Sequence, residues 1–174
     1  ITLVKDILEV GALGSGKLEI NKKIEDLKEI IDDSFENVKF FAQKKSIELK
    51  RSIGEGVKIN VDKVRIIQVL TNLLSNAIKF TPKGGFVELL IEENEAEPED
   101  IIIHVIDNGN GIPKEILLDL FNKEVTTSTK GTDGEIGTGF GLPLCQDLIK
   151  AHESEIHVES SAENGSRFYF KLSR

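Results

Sequence analysis

One cysteine, no methionine and no tryptophan occur in the 174 residues of this chain. A single thiol, Cys145, excludes an internal disulfide and points to a reducing, cytoplasmic setting for this stretch. Methionine is missing even from position 1, so a piece of a longer chain is expected, with membrane anchoring of the parent left open. No apolar run approaches the roughly 20 residues of a membrane-spanning helix, and no signal peptide opens the chain. Positive charge is also short. Lys and Arg total 22 against 30 Asp and Glu, a formal net charge of −8, which excludes nucleic-acid binding by bulk charge but not a local phosphate pocket. A hydrophobic content of 39% and a charged content of 30% fit a globular domain with a real core, and the length fits one domain plus an appendage. No internal repeat is visible.

The most informative stretch is residues 62–81, DKVRIIQVLTNLLSNAIKFT. Val64, Ile67, Leu70, Leu74 and Ala77 recur at helical steps and predict a core-facing stripe, with Asp62 as N-cap. Gln68, Asn72, Asn76 and Lys79 predict a second, polar face. Asparagine is a mediocre helix former. Two of them one turn apart offer neutral oxygens suited to a hard, hydrated cation, and the lysine beyond them suits phosphate. A solvated face is the plainer reading of this helix in isolation.

Around it, residues 1–13 are amphipathic and end at the glycines of GALGSGK, and residues 18–20 predict a short strand. Residues 25–45 predict a long helix with the stripe Ile24, Leu27, Ile31, Phe35, Val38 and Ala42. Residues 47–53 and 57–61 alternate as strands, with Gly54 and Gly56 suggesting a turn between them. Further strands are expected over 86–93, 101–106, 155–159 and 167–172, with a short helix over 113–121 and a longer one over 142–151. Residues 94–100 read as an acidic hairpin loop. The polar, Gly/Thr-rich segment 122–138 is too long for an ordinary connection. Hairpin-linked strands and three long helices predict a two-layer α/β sandwich, a mixed and mostly antiparallel sheet packed on three helices.

Two glycine motifs punctuate this plan. Asp107-Asn108-Gly109-Asn110-Gly111-Ile112-Pro113 places a carboxylate at the end of the most apolar strand, where alternate glycines let a flat ring approach and the carboxylate accept an N–H from its edge. An ordinary Asx/Gly turn is the competing reading. Gly137-Thr138-Gly139-Phe140-Gly141-Leu142-Pro143 precedes a helix and exposes amides to an anion, without the spacing of a dinucleotide fingerprint or a P-loop. A flexible hinge is the alternative there.

Together these stretches resemble the N, G1 and G2 boxes of the sensor histidine kinases, within the superfamily of gyrase, heat-shock chaperone, kinase and mismatch-repair ATPases. NLLSNAIKFT resembles the N box, DNGNGIP the G1 box and GTGFGLPL the G2 box; Phe121 stands where the F box falls, and GSRFYFKL resembles the closing strand. The resemblance covers almost the whole chain. It makes residues 1–16 the end of a dimerisation helix with its linker, and residues 17–174 a catalytic and ATP-binding domain of Bergerat-type fold.

The resemblance implies roles. Asn76 would ligate Mg²⁺ on the ATP phosphates, with Asn72 beside it, and Lys79 would contact phosphate; these three are the candidate catalytic residues. Asp107 would accept the adenine amino group, Gly109 and Gly111 would frame the base, and Ile112 and Phe121 would complete that end. Gly137, Gly139 and Gly141 would offer amides to the phosphates, with Thr138, Phe140 and Leu142 in the same nucleotide-binding segment. Residues 122–138 would form the lid over ATP. Lys123 or Lys130 would replace the basic residue many family members carry after the F box, where this chain has Glu124, Val125 and Thr126. The implied partners are ATP, the parent's own phosphoacceptor hairpin, a response-regulator receiver domain and, through a homodimeric parent, a second copy.

Asn72 separates branches of the superfamily by chemistry. The hydrolases carry a glutamate one turn before the metal-binding asparagine, as a base for water; an amide cannot take a proton at neutral pH. This favours phosphoryl transfer to a protein over hydrolysis. The three histidines, His104, His152 and His157, are expected to be a packed strand residue, a helix-end residue and another packed strand residue, so none is the acceptor. The paired glycines common after His152 are Glu153 and Ser154 here, and Cys145 is expected in the core. A degenerate nucleotide-sensing module, and an ATPase or serine kinase of the same fold, are the competing readings.

Overall fold

A computed structural model of the chain describes residues 19–54, 56–93, 99–122, 129–135, 139–162 and 164–174. The elements run β1 (Lys23–Asp26), α1 (Leu27–Lys44), β2 (Glu48–Ser52), β3 (Lys58–Val61), α2 (Lys63–Phe80), β4 (Phe86–Glu93), β5 (Asp100–Asp107), α3 (Lys114–Leu117), α4 (Gly141–Ala151), β6 (His157–Ser161) and β7 (Gly165–Ser173). Five strands form one sheet in the order β2-β4-β5-β7-β6; β2 is parallel to β4 and the other pairs are antiparallel. β1 and β3 form a separate antiparallel pair. Helices α1, α2 and α4 cover one face of the larger sheet, so the architecture is the two-layer sandwich expected from the pattern. Among the described residues no helix is long and apolar enough to cross a membrane.

β5 explains the layering. Ile101, Ile103, Val105 and Asp107 point toward the helices and are buried. The other parity points outward. There His104 lies opposite Leu90 on β4 and Tyr169 on β7, and Tyr169 lies opposite His157 on β6. His104 is nonetheless only 1% exposed, because Glu92, Arg167 and Tyr169 close over it. Burial, then the positive charge of Arg167, hold its imidazole below the usual histidine range. His157 corrects the expectation of a packed residue: it occupies an edge strand, is exposed, and stacks on the Tyr169 ring.

Three further expectations change. The strand expected over 18–20 forms instead at Lys23–Asp26, where Ile24 is exposed, and α1 starts at Leu27 behind Asp26, whose side chain accepts from the Lys28 amide. β2 and β3 do not pair across Gly54 and Gly56; β2 joins β4 in parallel, which requires a crossover, and α2 is that crossover. The phase of α2 also differs. Its buried residues are Ile66, Val69, Leu70, Leu73, Leu74, Ala77 and Ile78, whereas Val64 is exposed and Ile67 only half-buried. The reason is that α2 meets α1 on one flank and α4 on the other as well as the sheet beneath, so it buries a wider arc than a single-contact stripe. Asn72, Asn76 and Lys79 fall at the border of that arc and are half-buried.

Candidate functional site

The C-terminus of α2 organises the site. A helix leaves its last four carbonyls without partners, and here four different devices satisfy them. Ala77 O accepts from the Thr81 amide at 3.0 Å and the Thr81 hydroxyl at 2.7 Å. Ile78 O and Lys79 O accept from the ammonium of Lys45, at the end of α1, at 2.9 and 2.8 Å. Lys79 O also accepts from the Thr132 amide at 3.1 Å, and Phe80 O from the Asn110 amide at 3.3 Å. One helix end thus fixes α1, the stretch around Thr132, and the first glycine loop in a single place.

Asp107 sits at the end of β5, 5% exposed. Its Oδ1 accepts from the Gly109 amide at 2.8 Å and the Ser166 amide at 3.2 Å, and no described residue donates to Oδ2. Burial raises its pKa to about 6, against the lowering effect of those two amides. The loop after it is held tightly. The Ile112 amide donates to Ser160 Oγ at 2.8 Å, and that hydroxyl donates to Gly165 O at 2.9 Å. A Cβ on Gly109 would lie 2.5 Å from Phe80 O; one on Gly111, whose φ is +68°, would strike the Ser161 carbonyl. These glycines are required by close backbone approach as well as by turn geometry.

The second glycine motif opens α4. Gly139 has φ +79°, and the helix begins at Gly141 without a side-chain cap, leaving its first amides to another acceptor. A Cβ on Gly141 would lie 3.7 Å from Asn72 Oδ1, so the polar face of α2 abuts the start of α4. Phe140 and Leu142 are half-buried beside it; Gly137 and Thr138 lie outside the described residues. Ile112, Phe121 and Leu142 are partly buried and pack against the core.

The segment expected as a lid, residues 122–138, is described at residue 122 and residues 129–135. Residues 123–128, including Lys123 and the sequence Glu124-Val125-Thr126, lie outside the described residues. Residues 129–135 make a tight turn on the end of α2, closed by Gly131 N to Glu135 O at 2.8 Å and Gly134 N to Gly131 O at 3.0 Å. Lys79 Nζ donates to Thr129 O at 2.7 Å and lies 4.6 Å from the centre of the Phe80 ring. Burial lowers its pKa, with Glu135 opposing. Lys130 is exposed.

Of the sequence-derived candidates, the structure therefore brings Asn72, Asn76, Lys79, Asp107, Gly109, Gly111, Ile112, Phe121, Gly139, Phe140, Gly141 and Leu142 onto elements joined through α2 and the loops at its end. Sequence reasoning passed over Lys45, Thr132, Glu135, Ser160 and Ser166, whose partners are distant in the chain. His152 is committed within the fold. His152 caps the end of α4, its Nδ1 donating to Leu148 O at 2.7 Å while Nε2 accepts from the Asp62 amide at 3.1 Å. Both ring nitrogens are committed, and burial lowers the ring's pKa below the usual histidine range. Cys145 is buried, as expected.

The arrangement offers a buried carboxylate for a ring edge, amides for an anion and asparagines for a cation. Comparisons with known proteins identify the family. The family model described as histidine kinase-, DNA gyrase B- and HSP90-like ATPase matches residues 61–174. The sensor protein KdpD of Clostridium acetobutylicum is 31% identical over 174 residues, covering 99% of this chain but 19% of that protein. Full-length ShkA in complex with AMPPNP superposes with a TM-score of 0.82 at 25% identity, over 99% of this chain and 35% of ShkA. The histidine kinase ThkA in complex with the response regulator TrrA gives 0.75 at 27% identity, over 99% of this chain and 46% of that one. The chain thus spans about one fifth of the curated relative and less than half of either structural one. It belongs to the histidine kinase-, DNA gyrase B- and HSP90-like ATPase family.

Proposed function

We propose that the chain is the catalytic and ATP-binding part of a sensor histidine kinase, which presents the γ-phosphoryl of ATP to a histidine on a helical hairpin outside residues 17–174. In this reading residues 1–16 are the end of that hairpin and its linker, the parent is a homodimer, and the phosphoryl group passes on to an aspartate of a receiver domain. The observation that carries the reading is the meeting, around the outer flank and C-terminus of α2, of the Asp107 loop, the Asn72/Asn76/Lys79 stripe and the start of α4. Asp107 holds the adenine amino group, Gly139 and Gly141 bring amides to the phosphates, and Lys79 contributes charge at their far end. Among the described residues no group of three His, Cys, Asp or Glu could hold a metal by itself. Mg²⁺ takes few protein ligands and completes its shell with phosphate and water. Asn76 would hold it, and the ion would neutralise charge on the transferring group. Asn72, an amide against Gly141, supplies no base for water, so the residues here position ATP rather than hydrolyse it.

The test is direct. The chain is titrated with Mg²⁺-ATP and then incubated with γ-labelled ATP and the parent's hairpin supplied in trans. Acid-labile label on the hairpin is expected. Normal binding without label supports a nucleotide-sensing module instead, and steady phosphate release without label supports an ATPase.

Asn76→Asp is expected to weaken Mg²⁺-ATP binding about tenfold, equivalent to about 1.4 kcal/mol. It puts a negative charge beside the phosphates, a repulsion of about 4 kcal/mol at 4 Å near a protein surface, which the metal offsets only in part. Unchanged titration curves would remove Asn76 from the metal site.

A further inference from the structure

Lys45 is the most unusual charged residue in the fold. It is 4% exposed, and lysine is rarely buried so fully without partners. Each of its three N–H bonds has an acceptor: Ile78 O at 2.9 Å, Lys79 O at 2.8 Å and Glu135 Oε1 at 2.9 Å. The first two are terminal carbonyls of α2, where the helix dipole favours a cation. The third belongs to the turn 129–135. The same carboxylate uses its other oxygen, Oε2, to accept from the Asp133 amide at 2.9 Å inside that turn. Glu135 therefore joins the fold of the turn to the end of the helix. Next to the joint, the Thr132 hydroxyl reaches Thr81 O at 3.0 Å. A Cβ on Gly131 would lie 2.6 Å from Lys79 Cγ and 2.8 Å from Lys79 O, so the turn sits directly on the Lys79 backbone and stem. From it, Thr129 O receives the Lys79 ammonium.

We infer that Lys45 and Glu135 are positioning residues for the phosphate end of the nucleotide site: their ion pair locks the turn 129–135 to the end of α2 and so sets where the Lys79 ammonium lies. This rests on the nucleotide-binding reading above and deepens it. Lys45 is buried and commits all three of its N–H bonds to these acceptors, leaving none for a phosphate. Lys45 approaches from α1, and its acceptors Ile78 O and Lys79 O are main-chain atoms. The ion pair is built for geometry rather than for charge delivered to phosphate. Burial raises the Glu135 pKa, but its hydrogen bonds from Lys45 and from backbone outweigh this and hold it below the usual glutamate range, so the carboxylate is charged at neutral pH.

The base end of the site shares the end of α2 through Phe80 O but has anchors of its own. Asp107 is held by Gly109, Ser166 and the β6–β7 hairpin, none of which Lys45 or Glu135 contacts. A positioning role therefore predicts a split. Glu135→Gln keeps shape and removes the charge at a partly exposed position, so the fold should survive. Mg²⁺-ATP affinity is expected to fall about three- to tenfold, with adenosine affinity unchanged within about twofold. In the nucleotide-free chain, hydrogen exchange at the Gly131, Thr132 and Asp133 amides is expected to accelerate about tenfold, with Gly109 and Ser166 unaffected. Lys45→Met, the second variant, should reproduce both effects more strongly. A parallel loss of ATP and adenosine affinity would reduce the pair to a general structural role. Unchanged ATP affinity and exchange in both variants would overturn the inference. The wild-type ATP titration separately tests the nucleotide reading, and the exchange measurement stands whatever that titration gives.

Discussion

Asp107→Asn is expected to lose about two orders of magnitude in adenosine and ATP affinity while making the nucleotide-free domain more stable. Both effects come from the same geometry. Oδ1 is fixed as an acceptor by the Gly109 and Ser166 amides, so an asparagine must place its own oxygen there. Its amide nitrogen then takes the place of Oδ2 and presents N–H groups to the adenine amino group, donor against donor. A charge-assisted hydrogen bond of about 1.5–3 kcal/mol is lost and a donor is left unmatched. The stability effect has the opposite sign. The folded pKa is about 6 against an ordinary 3.8, so the folded chain holds this proton more tightly than the unfolded chain does. Burying the ionised group therefore costs up to about 3 kcal/mol, fully present above pH 6, fading as pH falls and gone below the unfolded value. The variant escapes that cost, and a gain of about 1–2 kcal/mol near pH 7 corresponds to a rise of about 3–6 °C in melting temperature. Melting curves and adenosine titrations on the two proteins check it. A destabilised variant, or one that binds adenosine normally, would remove Asp107 from the base pocket.

The same shift gives a pH dependence. Wild-type adenosine affinity should be level above about pH 6 and decline below it, as Asp107 takes up a proton and ceases to be a charged acceptor. Adenosine is the ligand of choice because it has no phosphate to titrate in this range. The Asn variant should show no such decline. His152 and His104 do not mimic this signal in binding. Their depressed pKa values instead subtract stability as pH falls through the usual histidine range, since each must charge on unfolding.

What could be read from the sequence was whatever chemistry is local. Asp107 and its glycines lie within a few residues at the end of one apolar strand, and the asparagines lie on one helix. Their residue types state their chemistry before any fold is known. The phase of α2 was not readable. Apolar residues stand at 64, 66, 67, 69, 70, 73, 74, 77, 78 and 80, and which of them are buried depends on neighbours on three sides. His104 and His157 show the same limit. Both face outward in one cross-strand row, but one lies in a central strand under Glu92 and Arg167 and the other on an edge. Lys45 was least legible. A Lys44-Lys45 pair at a helix end reads as charge complementing its own helix, whereas the acceptors of Lys45 lie 33, 34 and 90 residues away.

Gly165→Ala is expected to cost about 3 kcal/mol of stability and to weaken adenosine binding with it, and it shows how a turn residue supports the site. In the sequence, Gly165 only closes a polar turn before a strand. In the structure it has φ +73°, and a Cβ there would run into the Asp107 carbonyl oxygen, 2.8 Å from the Asp107 carbonyl carbon and 2.9 Å from Asn108 Cα. An L-residue loses about 1–2 kcal/mol in that backbone region. The collision adds about 1–3 kcal/mol, because its partner is main chain of a central strand, with no flexible side chain to give way. The two strands must separate where Ser166 pairs with Asp107, at the end of the β5–β7 ladder. Separation there pulls the Ser166 amide away from Asp107 Oδ1 and the Ser160 hydroxyl from Gly165 O, and these contacts hold the carboxylate and the loop after it. Destabilisation and loss of base binding should therefore appear together, unlike Asp107→Asn, where they part. Denaturant unfolding and adenosine titration of the two variants side by side separate a displaced carboxylate from a replaced one. If Gly165→Ala melts like the wild type, the close approach of β7 to β5 is not what fixes Asp107.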